Sequence, residues 1–573
     1  MRHLRWQLVI AILGMLLVGS LLRNKTEDVE VIVTAEPVRG GVYTEALVGA
    51  PRRFNPLLDF ANPVDRDIGR LIFAGLTRFD AYGRPLPDLA NWIISDDELT
   101  YTFVLRADAR WHDGTPVTSA DIAYTVGLLQ DPAYPGPADL GRLWQAITLN
   151  VISDQSVEFV LPELFAPFLD YTTFGLLPAH LLGEVGAAAL PEADFNHAPV
   201  GSGPFRFVAL TGQAGVVTGV RLSAFADYHG PAPLLNDVQF QFYPDVESAL
   251  EAYQAGEVLG ISRIDAGHIG AALREPQLGV YTTLLPEYSL IYLNLQSEEL
   301  PFFKDKRVRQ ALLRGLNRAA MIDQLLASQA VVADSPVLPG SWAYNPSLPT
   351  IAYDPASAAE LLDSAGWVIP DDALPGDPGY VRRQGEVELR FTLVTPDDDV
   401  HLAVAQSAQA TWAALGVVVD VLPVDPQAIR EEYLTARPRT FDALLVDLNL
   451  SGTPDPDPYP LWHETQVESG QNYGGFADRR TSELLEQARL TTDLDTRARL
   501  YYSFQSRFVD QTPALLLFYP VYNYAVDTSV LGVQLGPLVE PSDRLNTLAQ
   551  WSVVTRRVIV EQPAATAAPT AAP

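Results

Sequence analysis

Residues 99–125 read LTYTFVLRADARWHDGTPVTSADIAYT: a strand, a turn and a helix start in one stretch. Tyr101 to Arg106 alternates as a half-buried strand does. Trp111-His112-Asp113-Gly114-Thr115-Pro116 carries the Gly and Pro of a turn. Thr118 then stands as an N-cap, with acidic Asp121 three residues on, and the apolar spacing runs to Leu129. In this stretch Trp111 reads as a packing residue, and His112 and Asp113 as turn formers, because no second His lies nearby to complete a metal site or relay.

Working outward, strands and helices keep alternating. Residues 42–48 read as a strand, and residues 65–73 as a helix with Ile68, Leu71 and Ile72 on one side. Residues 305–326 are predicted to form one helix burying Val308, Ala311, Leu312 and Leu316, with Asp305, Arg307 and Arg309 on a charged face. Residues 354–365 make a further helix, closed by Gly366. Strands over 388–394, 417–422, 441–448 and 514–526 are interleaved with helices over 401–415 and 481–510. Alternation of this kind predicts an α/β core with mixed sheets.

Composition narrows the function. The chain has 573 residues, 48% of them hydrophobic, enough for a large core in several domains. Its net charge of −31 repels a phosphate backbone, so no nucleic-acid partner is expected. The absence of cysteine excludes disulfides, thiolate metal sites, Cys nucleophiles and lipid attachment through an N-terminal Cys. Eight histidines are scattered along the chain, so no metal and no cofactor is expected. The glycine-rich loop APVGSGPF at 198–205 lacks the GK[ST] ending of a phosphate loop. No GxSxG, HExxH or P-loop is present, and an enzyme is not expected.

The N-terminus opens Met1-Arg2-His3-Leu4-Arg5 and continues with an apolar run over residues 6–22, followed by Arg23, Asn24 and Lys25. A basic start before an apolar run is the pattern of a signal peptide or signal anchor, here 1–25. Val18-Gly19-Ser20 is a poor cleavage site, so an uncleaved anchor is preferred. Residues 26–39 read as a spacer, and 551–573, ending EQPAATAAPTAAP, as a flexible Pro/Ala/Thr-rich tail.

Six segments, in order, carry a resemblance: GLTRFDAYGRPLPDLANW (75–92), the opening stretch 99–125, PVGSGPFRF (199–207), YLNLQSEELPFFKDKRVRQALLRGLNRAAMI (292–322), YDPASAAELLDSAGW (353–367) and FDALLVDLNLSGTPDPDPYPLW (441–462). Together they resemble the solute-binding family 5, the large substrate-binding proteins of peptide, opine and nickel ABC importers. The resemblance spans about residues 40–548. It implies a two-lobed periplasmic-binding-protein-like fold with an additional inserted domain. Domain I would comprise 40–74, 191–285 and 516–550, domain II 75–190, and domain III 286–515. It further implies an extracytoplasmic, monomeric protein that captures a ligand by hinge closure and passes it to ABC permease subunits. A ligand sensor or adhesion protein on the same fold, or a hydrolase, is the alternative.

Peptide-binding members carry an Asp after the 441–448 strand that pairs with the peptide ammonium. Here that position falls on Ser451 or Gly452, so oligosaccharides, modified peptides, opines and metal chelates stay open beside peptides. Asp455 and Asp457 sit in a DPDP turn that reads as structural. By position in the family, the ligand contacts would be Asp59, Phe60, Tyr134, Asp447, Asn449, Thr453, Tyr522 and Tyr524.

Overall fold

The strand Ala514–Asp527 is the seam of the molecule. In the computed structural model, which describes residues 13–15, 29–213, 216–377, 379–452 and 455–563, its first half pairs antiparallel with Glu287–Leu293 and Ala330–Val332. Its second half pairs with Gly260–Ile264 and Leu278–Leu284. On the first side the sheet continues through Ala443–Asn449, Arg390–Pro396 and Val418–Val424. On the second it continues through Val42–Val48, Asp237–Tyr243, Val216–Ala224 and Phe205–Gln213. Parallel and antiparallel pairs coexist, as the mixed reading requires.

The seam is almost wholly apolar because both of its faces are covered. Side chains alternate across a strand: Leu515 and Leu517 enter one core while Ala514 and Leu516 enter another. Beyond the crossing, Tyr522, Tyr524 and Val526 join a third core and Ala525 a fourth. Only Pro520 and Val521, midway between the two sets of partners, are half-exposed before the final Asp527.

The inserted segment forms a four-stranded antiparallel sheet of Ala90–Ile94, Thr100–Leu105, Ser156–Val160 and Thr148–Ser153. It has no core of its own: Phe103, Trp111, Phe159 and Phe168 belong to one apolar cluster with Tyr43, Ile68, Leu71 and Phe205. The opening stretch of sequence is the joint. Asp121 is buried and accepts hydrogen bonds from the N–H groups of Thr118 and Ala179, each 2.8 Å, and from Trp111 Nε1 at 3.2 Å. His112 holds the glycine loop, with Nε2 3.0 Å from the Gly203 carbonyl and Nδ1 accepting from Gly201 N–H at 3.2 Å. Burial pushes this imidazole down to about 4, so it is neutral and an acceptor at Nδ1. A Cβ at Gly201 or Gly203 would overlap the backbone of Ile72 or Leu71, so the glycines permit close packing on the helix Pro63–Ile72.

Four expectations are corrected. The helix over 305–326 is two helices, Lys306–Arg314 and Arg318–Leu325. Asn317 interrupts it: its side chain caps the second helix by accepting from Ala320 N–H at 3.1 Å. Both pieces bury their apolar residues in one core, which is why the spacing reads as continuous. Arg309 is not on an exposed face; it is buried and donates to the carbonyls of Phe303, Lys304, Gln511 and Thr512. The tail does not begin at 551: Trp551 is fully buried, edge-on to Tyr43 at 5.3 Å. Nor are the spacer and the start of the tail unpaired, since Val29–Pro37 and Thr555–Pro563 form an antiparallel ribbon, Val29 opposite Pro563. Each contains a short β-branched run, which favours strand over linker. Residues 564–573 lie outside the described residues, as does the apolar run 6–22 apart from residues 13–15. Among the described residues, no helix is long and apolar enough to cross a membrane.

Candidate functional site

A cavity of about 1070 Å³ lies between the two halves of the sheet, lined by both lobes and by the inserted domain. That is slightly above the ~300–1,000 Å³ typical of small-molecule sites.

One wall is built on the helix Pro63–Ile72. Asn62 caps it by accepting from Val64 N–H at 3.0 Å, and Pro63 begins it where no N–H is needed. The helix aims Arg66 and Arg70 into the cavity. Arg70 pairs with Glu540 and, at 2.6 Å, with Asp543; Arg66 lies 3.7 Å from Glu540. Asp59, just before the helix, lines the cavity and makes no ion pair among the described residues. Burial, and then the charge of Glu540, raise its carboxyl well above the usual range against the pull of Arg66 and Arg70.

Behind this wall Arg544 is fully buried between Glu45, at 2.7 Å, and Asp67, at 2.6 Å. Tyr43 and Tyr524 both donate to Glu45, at 2.8 and 2.6 Å.

The opposite wall is the DPDP turn. Asp455 receives a two-pronged ion pair from Arg497, at 2.6 and 2.7 Å, with both side chains almost fully buried. Arg497 also donates to Tyr501 Oη at 2.8 Å and the Ala488 carbonyl at 3.0 Å. Asp457 pairs with Arg489 at 2.6 Å, and Arg489 stacks 3.8 Å over the Tyr459 ring. The inserted domain adds Asp170, from the turn Ala166–Thr172, beside Asp455. Burial, and then the charge of Asp455, raise the Asp170 carboxyl well above the usual range.

Of the residues expected from sequence, Asp59 and Asn449 line the cavity. Asn449 closes a turn by accepting from Ser451 N–H at 2.7 Å. The others among the described residues are placed elsewhere. Phe60 is exposed away from the cavity lining. Tyr134 donates to the Leu57 carbonyl at 3.2 Å. Tyr522 is buried and bonded to the Ser262 carbonyl, and Tyr524 belongs to the Glu45 cluster. Thr453 lies outside the described residues. Asp447 is off the cavity and already has its cation: it accepts from Ser289 Oγ and lies 3.0 Å from His401 Nε2. Burial alone would lower His401, but the bonds and charges of Asp447 and Asp398 outweigh it and push the imidazole up to about 9. Gly452, with φ of +75°, lines the cavity, and a side chain there would enter open space.

Sequence reading missed Arg66, Arg70, Asp170, Trp342, Arg489 and Glu540, all of which line the cavity. No local motif marks them, because they meet only through the fold. Among the described residues there is no group of three His, Cys, Asp or Glu that could hold a metal ion.

A two-lobed α/β frame on a common sheet, enclosing a charged cleft roofed by an inserted domain, defines a solute-binding protein of the periplasmic type. Residues 84–471 match the bacterial extracellular solute-binding proteins, family 5, in that family's middle region, and the chain belongs to this family. Its relatives include the oligopeptide-binding protein AppA of Bacillus subtilis, 28% identical over 88% of this chain and 90% of AppA. The dipeptide-binding protein of Escherichia coli is 25% identical over 88% of this chain and 95% of that protein. The solved structure of B. subtilis AppA with a nonapeptide superposes with a TM-score of 0.65 at 26% identity, covering 91% of this chain and all of that solved chain.

Proposed function

We propose that the chain captures peptide-like ligands outside the cytoplasm and delivers them to an ABC permease, without chemical conversion. The observation that carries this reading is the interlobe cavity of about 1070 Å³, with arginine–carboxylate networks on two facing walls. Such walls suit a zwitterionic ligand, whose charged ends need partners once removed from water. The names of the relatives support peptides as the class. Capture works by closure of the lobes about the seam near Pro520 and Val521, where the strand passes from one set of partners to the other. A ligand drives closure only by binding the closed state more tightly than the open one. The protein acts as a monomer, tethered by its N-terminal apolar run as an uncleaved anchor.

Thermal unfolding against panels of peptides, oligosaccharides and metal chelates tests the class. A ligand that binds the native state alone raises stability by RT ln(1 + [L]/Kd), about 2.7 kcal/mol at a hundredfold excess over Kd. Peptides are expected to raise the melting temperature and to be recovered intact. No shift with any peptide, or cleavage of the bound one, would sink the reading.

A further inference from the structure

Asp170 is 3% exposed, lines the cavity, and its Oδ1 has no hydrogen-bond partner among the described residues. Trp342 is 7% exposed, lines the same cavity, and its Nε1 likewise lacks a partner. Both stand around one guanidinium. Arg497 lies 5.3 Å from the Trp342 ring and pairs with Asp455, whose carboxyl is the neighbour of Asp170. On this wall Asp170, Asp455 and Asp457 face Arg489 and Arg497, which leaves one carboxylate without a cation. A buried polar atom left unpaired costs roughly 1–3 kcal/mol, and more if charged. An unpaired acceptor and an unpaired donor around the same guanidinium are complementary to a group that offers the reverse: an ammonium next to a carbonyl.

We propose that Asp170 and Trp342 form the amine-recognising end of the cleft, with Asp170 taking a primary ammonium and Trp342 Nε1 donating to the adjoining carbonyl. The N-terminus of a peptide presents that pair of groups. This rests on the reading of the chain as a peptide-capturing protein, and it names the group that sets the ligand's register. The place expected for an ammonium partner holds uncharged Ser451 and Gly452, so here the inserted domain supplies the carboxylate. The two other candidates are less suited. Asp447 is engaged by His401, and Asp59 is only half-buried, so water weakens its hold on a charged group.

Calorimetric titration of the full-length, ligand-free protein with trialanine and N-acetyl-trialanine tests this. Longer peptides are added in both forms should neither tripeptide bind. Acetylation is expected to weaken binding to the unaltered protein about 30-fold or more. Asp170→Asn should lower free-amine affinity to the acetylated level and leave acetylated binding unchanged. Trp342→Phe should weaken both forms about threefold. Equal affinity of the unaltered protein for both forms overturns the proposal, as does an Asp170→Asn variant that keeps the preference. The acetylation comparison needs no variant, so it decides even if Asp170→Asn misfolds. If no peptide binds in either form, the peptide reading itself falls; if peptides bind without regard to the amine, only the amine site falls.

Discussion

On one wall of the cleft Arg66 and Arg70 face Asp59, Glu540 and Asp543; on the other Arg489 and Arg497 face Asp170, Asp455 and Asp457. The inventory of charge is the same, and on each wall one aspartate is left over. What differs is access to water at one pair. The Arg70 side chain keeps 28% of its exposure and Arg489 29%, whereas Arg497 and Asp455 keep 1% and 2%. Water and salt weaken charge interactions at the first wall, while at the Arg497–Asp455 pair of the second the low dielectric strengthens a made pair and penalises a broken one. The first wall can therefore adapt to varied ligand groups. The second demands a particular charge.

The comparison breaks most directly at the arginines. Arg497→Met strands Asp455 without its cation and should destabilise the protein by about 3–5 kcal/mol in denaturant unfolding. Arg70→Met, on the wetter wall, should cost about 1 kcal/mol. Equal losses would show that the walls do not differ in dielectric. Gly452→Asp, which places a carboxylate in the open cleft at a left-handed backbone position, should destabilise by about 1–2 kcal/mol. In an Asp170→Asn background it should restore preference for a free amine, read by the same calorimetry. Asp59→Asn should change peptide affinity only about threefold at low salt, and 0.5 M salt should abolish the change. A larger, salt-independent effect would move the decisive charge to the first wall.

The smallest effect on binding is expected at Asp447. Asp447→Asn should leave affinity within about twofold, because its partner is His401 and not the ligand. Its signature is in stability against pH. The folded value of His401, about 9, lies above its ordinary value, so its contribution is fully present below about pH 6.5. That contribution is lost as pH rises through 9. Thermal unfolding of the variant should show a flatter alkaline limb; an unchanged limb would rule out Asp447 as the source of the shift.

Legibility followed the range of the interactions. The seam strand was readable because double-sided burial leaves a run over Ala514–Asp527 that is apolar apart from Asn523 and the final Asp527. The strand, turn and helix around Trp111 were readable because their turn and cap chemistry is local. The break at Asn317 was hidden because both helices feed one core. The burial of Arg309 was hidden because its partners at Gln511 and Thr512 are two hundred residues away in the chain. Position in the family marked Asp59 and Asn449, which line the cavity, and equally Tyr522 and Tyr524, which point into packed interiors. A strand shows which residues share a face and not what that face meets.

The sequence by itself determined an α/β chain of solute-binding type, because periodicity, turn residues and ordered motifs are properties of neighbours along the backbone. Only the tertiary structure decided which carboxylates count. Asp170, Trp342, Asp455 and Arg497 come from separate segments, and an aspartate becomes costly, and so selective, only when folding removes the water around it.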